Sequence, residues 1–278
     1  MLKTVYIKHL LVTLSTILCA FVQLESIAQD LAGDDAESNH VACDSGDSRA
    51  CSMLGDAYFS SNGVKQDILR ASDLYQKACD GGDARGCYRL GYLYFDGKGV
   101  AQDQVKASKL FRKACDEDYF DGCLKLGQAY FFGEGVKQDY FKSAKLYRKT
   151  CEGGEAVGCL NLGNAYATGN GVIKNQVKAN ELYLNSCDNG IVGACFNLAE
   201  AHAYGNGVTQ DQVKANALYL RSCNGGISSG CFNLGDVYYN GKGVERDIPK
   251  AKAFFGKACG LRHQAGCTNY GLLHEDGH

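Results

Sequence analysis

The sequence predicts an all-α protein, an αα-hairpin solenoid with one disulfide per repeat, and three observations predict it. A motif recurs every 36 residues without insertion and is seen whole from Cys87 to Cys115. Within it the apolar residues fall at helical spacing in two runs separated by a glycine turn. The cysteines stand in pairs, the first members at Cys43, Cys79, Cys115, Cys151, Cys187, Cys223 and Cys259. Their partners follow eight residues later, at Cys51, Cys87, Cys123, Cys159, Cys195, Cys231 and Cys267. A fixed period of this length marks an architecture in which each unit buries its apolar face against its neighbours.

The chain opens on Lys3 and Lys8, then an apolar run from Leu10 to Val22, with small residues at Ser26 and Ala28. Residues 1–28 therefore read as a signal peptide cleaved after Ala28. The run is short for a membrane-crossing helix, so no span is expected in the mature form. A lipid anchor at Cys19 is disfavoured by the bulky Leu18 before it. Residues 29–42 form a polar leader with Asp34, Asp35 and Glu37, a frayed segment or a degenerate first helix. Residues 43–278 carry the repeats, about six full ones and a final half repeat.

Counted from the second cysteine of each pair, position +3 is leucine from Leu54 to Leu234 and then Tyr270. Position +4 is small, as at Gly55, Gly91, Gly127, Gly163, Ala199, Gly235 and Gly271. Position +7 is Tyr58, Tyr94, Tyr130, Tyr166, His202, Tyr238 and His274. Together with the cysteine these positions make one stripe, so the first helix is amphipathic. It stops at turns such as Gly97-Lys-Gly-Val100, where glycine takes the left-handed conformation cheaply. A second helix starts after Asp67, Asp103, Asp139, Asn175, Asp211 or Asp247, short polar side chains suited to an N-cap. Pro249, the only proline, falls in the first turn, where it is tolerated. This helix carries Leu74, Leu110, Leu146, Leu182, Leu218 and Phe254, each followed by Tyr or Phe, and a small residue such as Ala71 or Ala107. Glycine at +4 is expected to face that small residue and bring the two backbones close.

The pattern Leu-Gly-x-x-Tyr-x-x-Gly-x-Gly-Val, an N-cap Asp, Lys-Ala and an aromatic pair before Lys-Ala-Cys resembles the Sel-one-like repeat, a lengthened relative of the tetratricopeptide repeat. With a C-x7-C pair in every unit, residues 41–278 are similar to the Helicobacter cysteine-rich protein family. The resemblance implies a secreted or periplasmic right-handed superhelix of disulfide-stapled hairpins. It also implies penicillin binding and slow β-lactamase activity, although no short motif carries that activity onto particular residues. Ser61 in place of a turn glycine, and His202 and His274 in place of tyrosine, are small departures.

Composition narrows the function. Lys+Arg number 29 against Asp+Glu 31, interspersed along the chain, a net charge of −2. That balance excludes the basic footprint of a nucleic-acid binder. Fifteen cysteines at strict spacing point to an oxidising compartment, and cleavage of the signal leaves fourteen. Pairing Cys43–Cys51, Cys79–Cys87, Cys115–Cys123, Cys151–Cys159, Cys187–Cys195, Cys223–Cys231 and Cys259–Cys267 uses them all. The alternative register, Cys51 with Cys79, strands Cys43 and Cys267. Zinc fits poorly, because seven intervening residues do not match the usual finger spacings. No metal or cofactor is expected.

The tail His274-Glu-Asp-Gly-His278 matches H-E-x-x-H, but Gly277 stands at the turn and breaks the helix that this zinc motif needs. No serine has a lysine three residues on, and the histidines are scattered, so neither form of β-lactamase site is legible and any catalytic residue is unknown. A β-lactam remains a conceivable ligand through the resemblance alone. His202 reads as a tyrosine-like ring in inter-repeat packing.

Positions +2, +5 and +9 fall together opposite the buried stripe. They give a row of amides and carboxylates, Asn161, Asn164, Asn197, Glu200, Asn233, Asp236 and Asn269. First helices line the concave surface of tetratricopeptide-like folds, and side-chain amides offer donors and acceptors to an extended ligand. The expected function is a secreted or periplasmic, monomeric scaffold that binds a peptide, protein or peptidoglycan fragment there; an ordinary solvated face is the plainer reading. Non-reducing peptide mapping should recover every C-x7-C pair and no free thiol, and a Cys51–Cys79 peptide would refute the register.

Overall fold

The computed structural model describes residues 35–275. The signal-peptide reading of 1–28, Cys19 with it, the leader up to residue 34 and the last three residues of the H-E-x-x-H tail lie outside the described residues. Among the described residues there are fourteen helices. Helix α1, residues 35–44, covers much of the polar leader, and its Ala36 packs against Leu54 and Ala57. First and second helices then alternate: α2 Ser48–Ser60 and α3 Ile68–Asp80, α4 Ala84–Asp96 and α5 Gln104–Asp116, α6 Phe120–Phe132 and α7 Tyr140–Glu152. The pattern continues with α8 Ala156–Thr168 and α9 Gln176–Asp188, α10 Val192–Tyr204 and α11 Gln212–Asn224, α12 Ser228–Asn240 and α13 Ile248–Gly260, ending on α14 Gln264–Glu275.

The chain divides into two compact units, residues 35–122 with Glu134–Val136, and Cys123–Gly133 with residues 137–275. In the first, each of α2 to α5 packs on the next; in the second, α7 through α14 do the same. No helix among the described residues is long and apolar enough to cross a membrane.

The capping residues act as their chemistry requires. Asp103 accepts from the Lys106 N–H at 2.9 Å, and Asp67, Asp139, Asn175, Asp211 and Asp247 cap their helices in the same way. First helices differ along the chain. Asp47 and Asp83 cap α2 and α4, whereas Glu155, Ile191 and Ile227 precede α8, α10 and α12 without a side-chain cap. A covalent bond fixes the chain beside each start, capped or not: Cys151–Cys159, Cys187–Cys195 and Cys223–Cys231 join the end of one second helix to the start of the next first helix. Cys43–Cys51, Cys79–Cys87 and Cys259–Cys267 are bonded likewise, and Cys115 and Cys123 are disulfide-bonded too.

The +4 glycines have a different neighbour from the expected one. A Cβ on Gly163 would lie 2.7 Å from the Tyr183 ring, and one on Gly91 would lie 2.8 Å from the Phe111 ring. The aromatic side chain of the second helix, not the small residue, fills the space that glycine leaves. The small residues contribute backbone: the Ala107 and Ala179 carbonyls lie 3.3 Å from the same two Cβ positions.

Consecutive repeats are also tied through the glycine turn, which sits on the start of the preceding second helix. Asn180 Nδ2 donates to the Asn206 carbonyl at 2.7 Å, Asn216 to Lys242 at 2.9 Å and the Ser108 hydroxyl to Glu134 at 2.9 Å. At Gly171 φ is +74° and a Cβ would lie 1.9 Å from the Tyr140 carbonyl oxygen, so both conformation and space demand glycine. Gly154 has φ +92° but open space around it. Gly154→Ala should therefore cost only the backbone penalty, about 1–2 kcal/mol, and Gly171→Ala clearly more. Chemical denaturation of the two variants checks this; equal losses would mean that the turn does not press on α7.

Candidate functional site

All seven residues of the amide and carboxylate row lie in the second unit, on α8, α10, α12 and α14. The structure joins them into a ladder. Asn197 Nδ2 donates to Asn164 Oδ1 at 3.1 Å, and Asn233 Nδ2 donates to Glu200 Oε1 at 2.8 Å. Each rung thus runs from position +2 of one repeat to +5 of the repeat before. Asn197 and Asn233 are half-buried bridges, which corrects the expectation that they stand clear of the packing. Asn161 and Asn269 are half-buried as well, and neither side chain makes a hydrogen bond among the described residues.

Tyrosine completes each rung. The Tyr183 hydroxyl donates to Asn164 Oδ1 at 2.8 Å and the Tyr219 hydroxyl to Glu200 Oε1. The first unit builds the same node with charges: Asp56 accepts from the Tyr75 hydroxyl at 2.7 Å and pairs with the Arg85 guanidinium and with Arg89 Nε at 3.0 Å. These tyrosines were not singled out in the sequence. The signal was the aromatic of the second helix, tyrosine at Tyr75, Tyr183 and Tyr219, where +5 supplies Asp56, Asn164 or Glu200 as acceptor, and phenylalanine at Phe111 and Phe255.

Asp236 breaks the rule. Its second helix offers Phe255 in place of tyrosine, so the carboxylate takes Asn240 Nδ2 at 2.6 Å and Lys242 Nζ at 2.7 Å instead. Two cavities meet at Asp236. One, of about 350 Å³, lies between α10 and α12 beside Tyr219 and Asn233; the other, of about 410 Å³, lies between α12 and α14 with Phe255, Asn269, Leu272 and Leu273 in its walls.

Position +7 meets the second helix of its own repeat. The Tyr94, Tyr166 and Tyr238 rings are covered by Lys106, Lys178 and Lys250, with the ammonium 4.0, 5.6 and 5.4 Å from the ring centroids. Such a contact is worth about 0.5–1 kcal/mol at exposed sites. His202 takes this place in α10, where its Nδ1 is buried without a hydrogen-bond partner. No group of three or more possible metal ligands is present among the described residues.

Electrostatically the ladder holds its phenols neutral. Burial pushes the Tyr183 hydroxyl up to about 12, while the Asn197 amide pulls the other way. Burial, then the Glu200 carboxylate, raises Tyr219; burial, then Asp56, raises Tyr75. A phenol so disposed donates hydrogen bonds and is a poor nucleophile. The ladder can therefore hold polar groups in place. Because the folded-state value of Tyr183 lies above the ordinary value of about 10, its contribution to stability is full below about pH 10 and is lost as pH rises toward 12. Tyr183→Phe should lower stability by about 1 kcal/mol at neutral pH and lose less of it between pH 10 and 12 than the parent. Thermal melts across that range check the difference, and parallel curves would remove Tyr183 as a contributor.

Comparison with known proteins places this geometry. The Sel1 repeat profile matches residues 48–83, 84–119, 121–155, 156–191, 192–227 and 228–263. The crystal structure of c5321, a protective antigen present in uropathogenic Escherichia coli strains displaying an SLR fold, is 30% identical with a TM-score of 0.83. The match covers 87% of this chain and 52% of that one, so the chain spans about half the length of that relative. A Sel1 repeat protein from Oxalobacter formigenes is 25% identical with a TM-score of 0.72, covering 81% of this chain and 96% of that one. Helicobacter pylori cysteine rich protein B is 33% identical with a TM-score of 0.39, over 48% of this chain and 95% of that one. No curated protein matches the sequence significantly. Repeat by repeat from residue 48 to residue 263, in sequence as in hairpin packing, the chain belongs to the Sel1 repeat family.

Proposed function

We propose that the first-helix face of the second unit is a recognition surface for an extended ligand, a stretch of peptide or protein or a peptidoglycan-derived fragment. The observation that supports this is the ladder with its two cavities. It presents amide carbonyls, carboxylates and N–H groups at successive repeats beside apolar recesses around Phe255, Leu272 and Leu273. An extended backbone or a glycan offers the complementary donors and acceptors. Asn197 and Asn233 keep their carbonyl oxygens after bridging the repeats, and the side chains of Asn161 and Asn269 keep all their polar atoms.

Penicillin binding with slow β-lactam hydrolysis is the alternative implied by family resemblance. The ladder tyrosines, driven away from ionisation, supply no nucleophile for it. The disulfides need an oxidising compartment, and we place the protein in the periplasm or outside the cell, as a monomer, with residues 1–28 as its signal. That the uropathogenic E. coli relative is a protective antigen fits such a location.

Because Asn197 and Asn233 also hold repeats together, replacing them tests binding and stability at once. Replacing Asn161 and Asn269 with Ala separates the two. This pair should weaken binding of a muropeptide or an extended peptide by about 1–3 kcal/mol, with an unchanged melting curve. The Asn197→Ala, Asn233→Ala pair should weaken binding and also lower stability by about 1 kcal/mol per residue. Calorimetric titration of both variants against the parent checks this, with penicillin hydrolysis measured alongside. Unchanged affinity in both pairs would remove the ladder as the binding surface.

A further inference from the structure

A second surface of the same unit lies mainly on second helices and a glycine turn. The turn after α8 and the second helices α7 and α9 enclose an open cavity of about 830 Å³. Phe141 and Arg148 come from α7, Tyr166 from α8, Val172 and Ile173 from the turn and Lys178 from α9. None of these residues belongs to the ladder.

The cavity joins an apolar patch to cations that lack acidic partners. Ile173 is 92% exposed and Phe141 70% exposed. Other repeats place Lys65, Ala101, Lys137, Thr209 or Glu245 where Ile173 stands, so the repeat pattern does not require a large apolar residue there. Large apolar side chains held in water together mark an interaction site more often than chance exposure does. The charge is equally local. Lys142 at the start of α7 is paired with the capping Asp139, 3.4 Å away, whereas Arg148 and Lys178 face the cavity, in a chain whose net charge is −2. Arg148 Nη2 donates to the Tyr166 hydroxyl at 3.1 Å and the Lys178 ammonium lies 5.6 Å from the same ring. Neither is paired with a carboxylate among the described residues.

We infer that this cavity binds an acidic and hydrophobic segment of a polypeptide partner. An apolar side chain of the segment covers Phe141 and Ile173, and an adjacent Asp or Glu carboxylate is received by Arg148 and Lys178. A guanidinium anchored at one nitrogen still presents further N–H groups in the fork that matches a carboxylate. Nucleic acid needs a stripe of cations along its phosphates rather than two beside an isoleucine. A membrane surface would use the same cations without requiring a peptide, and the test separates the two.

The disulfide-intact protein is titrated into a fluorescein-labelled dodecapeptide of repeated Glu-Leu-Phe-Asp units, read by fluorescence anisotropy. A Lys-Leu-Phe-Lys peptide of equal length and phosphatidylglycerol vesicles are the comparisons. The acidic peptide should bind at least about tenfold more tightly than the basic one, and added salt should weaken it. Arg148→Gln with Lys178→Gln, and separately Ile173→Ser, should each lower its affinity roughly tenfold, with circular dichroism unchanged because these side chains are exposed. The Asn161→Ala, Asn269→Ala pair should leave it untouched, which distinguishes this surface from the ladder. No binding of the acidic peptide, equal binding of both peptides, or unchanged affinity in the cavity variants overturns the inference. Vesicle binding without peptide binding replaces it with a membrane contact.

Discussion

The contact that the rest depends on is the ring of a second-helix aromatic lying in the space left by a glycine of the first helix. Tyr183 over Gly163 and Tyr75 over Gly55 leave no room for a Cβ. The arrangement closes the hairpin, but it also carries the far end of the ring to the neighbouring position, where the hydroxyl meets Asn164 or Asp56. Packing and the polar ladder are thus two ends of one side chain. A glycine in mid-helix costs about 1 kcal/mol in propensity, and the buried ring offsets that cost. Where alanine replaces it, at Ala199, the Tyr219 ring still reaches Glu200, so the ladder tolerates one methyl group at this point.

The ladder in turn makes neighbouring repeats interdependent. A rung shared between +5 of one repeat and +2 of the next couples them, as do the Asn180 and Asn216 bonds to the following turn and the disulfide before each first helix. These ties differ in kind: one is covalent, one is amide to backbone, one is side chain to side chain. Stability of this type is carried between nearest neighbours. Asp236 is the place where the last tie changes character, because Phe255 brings no hydroxyl and the carboxylate turns to Asn240 and Lys242 on its own repeat.

Much of this was legible in the sequence, for reasons that lie in the residues. The helix starts at Asp103 or Asn175 depend on atoms three residues away, and local chemistry suffices to read them. The cysteine pairing followed from parity. The +4 glycine does bring the two backbones close, with the Ala107 and Ala179 carbonyls 3.3 Å from the Cβ positions of Gly91 and Gly163, but glycine next to alanine does not reveal that a ring four residues further along the second helix fills the same space. The ladder residues were found but their partners were not: Asn164 and Asn197 stand 33 residues apart, and nothing in either helix alone says that they touch. Helix α1 was equally hard to assign from a polar segment whose burial of Ala36 needs Leu54 and Ala57 of the next helix. The patch at Phe141 and Ile173 escaped notice because exposure at a repeat position is visible only once the neighbouring helices are placed.

The spacing within each cysteine pair bears on how the chain reaches its oxidised state. Cys43–Cys51 and Cys79–Cys87 each close over a separation of 8 residues, whereas the nearest wrong pairing, such as Cys51 with Cys79, spans 28. Closing the longer loop costs about 1 kcal/mol more in chain entropy. The correct thiol is therefore the first one met as the chain extends. Oxidation can proceed from one end as the polypeptide is delivered, with little need for reshuffling. The same locality means that gaining or losing a whole 36-residue unit leaves every other bridge intact, so the length of such an array is free to change without disturbing its covalent order.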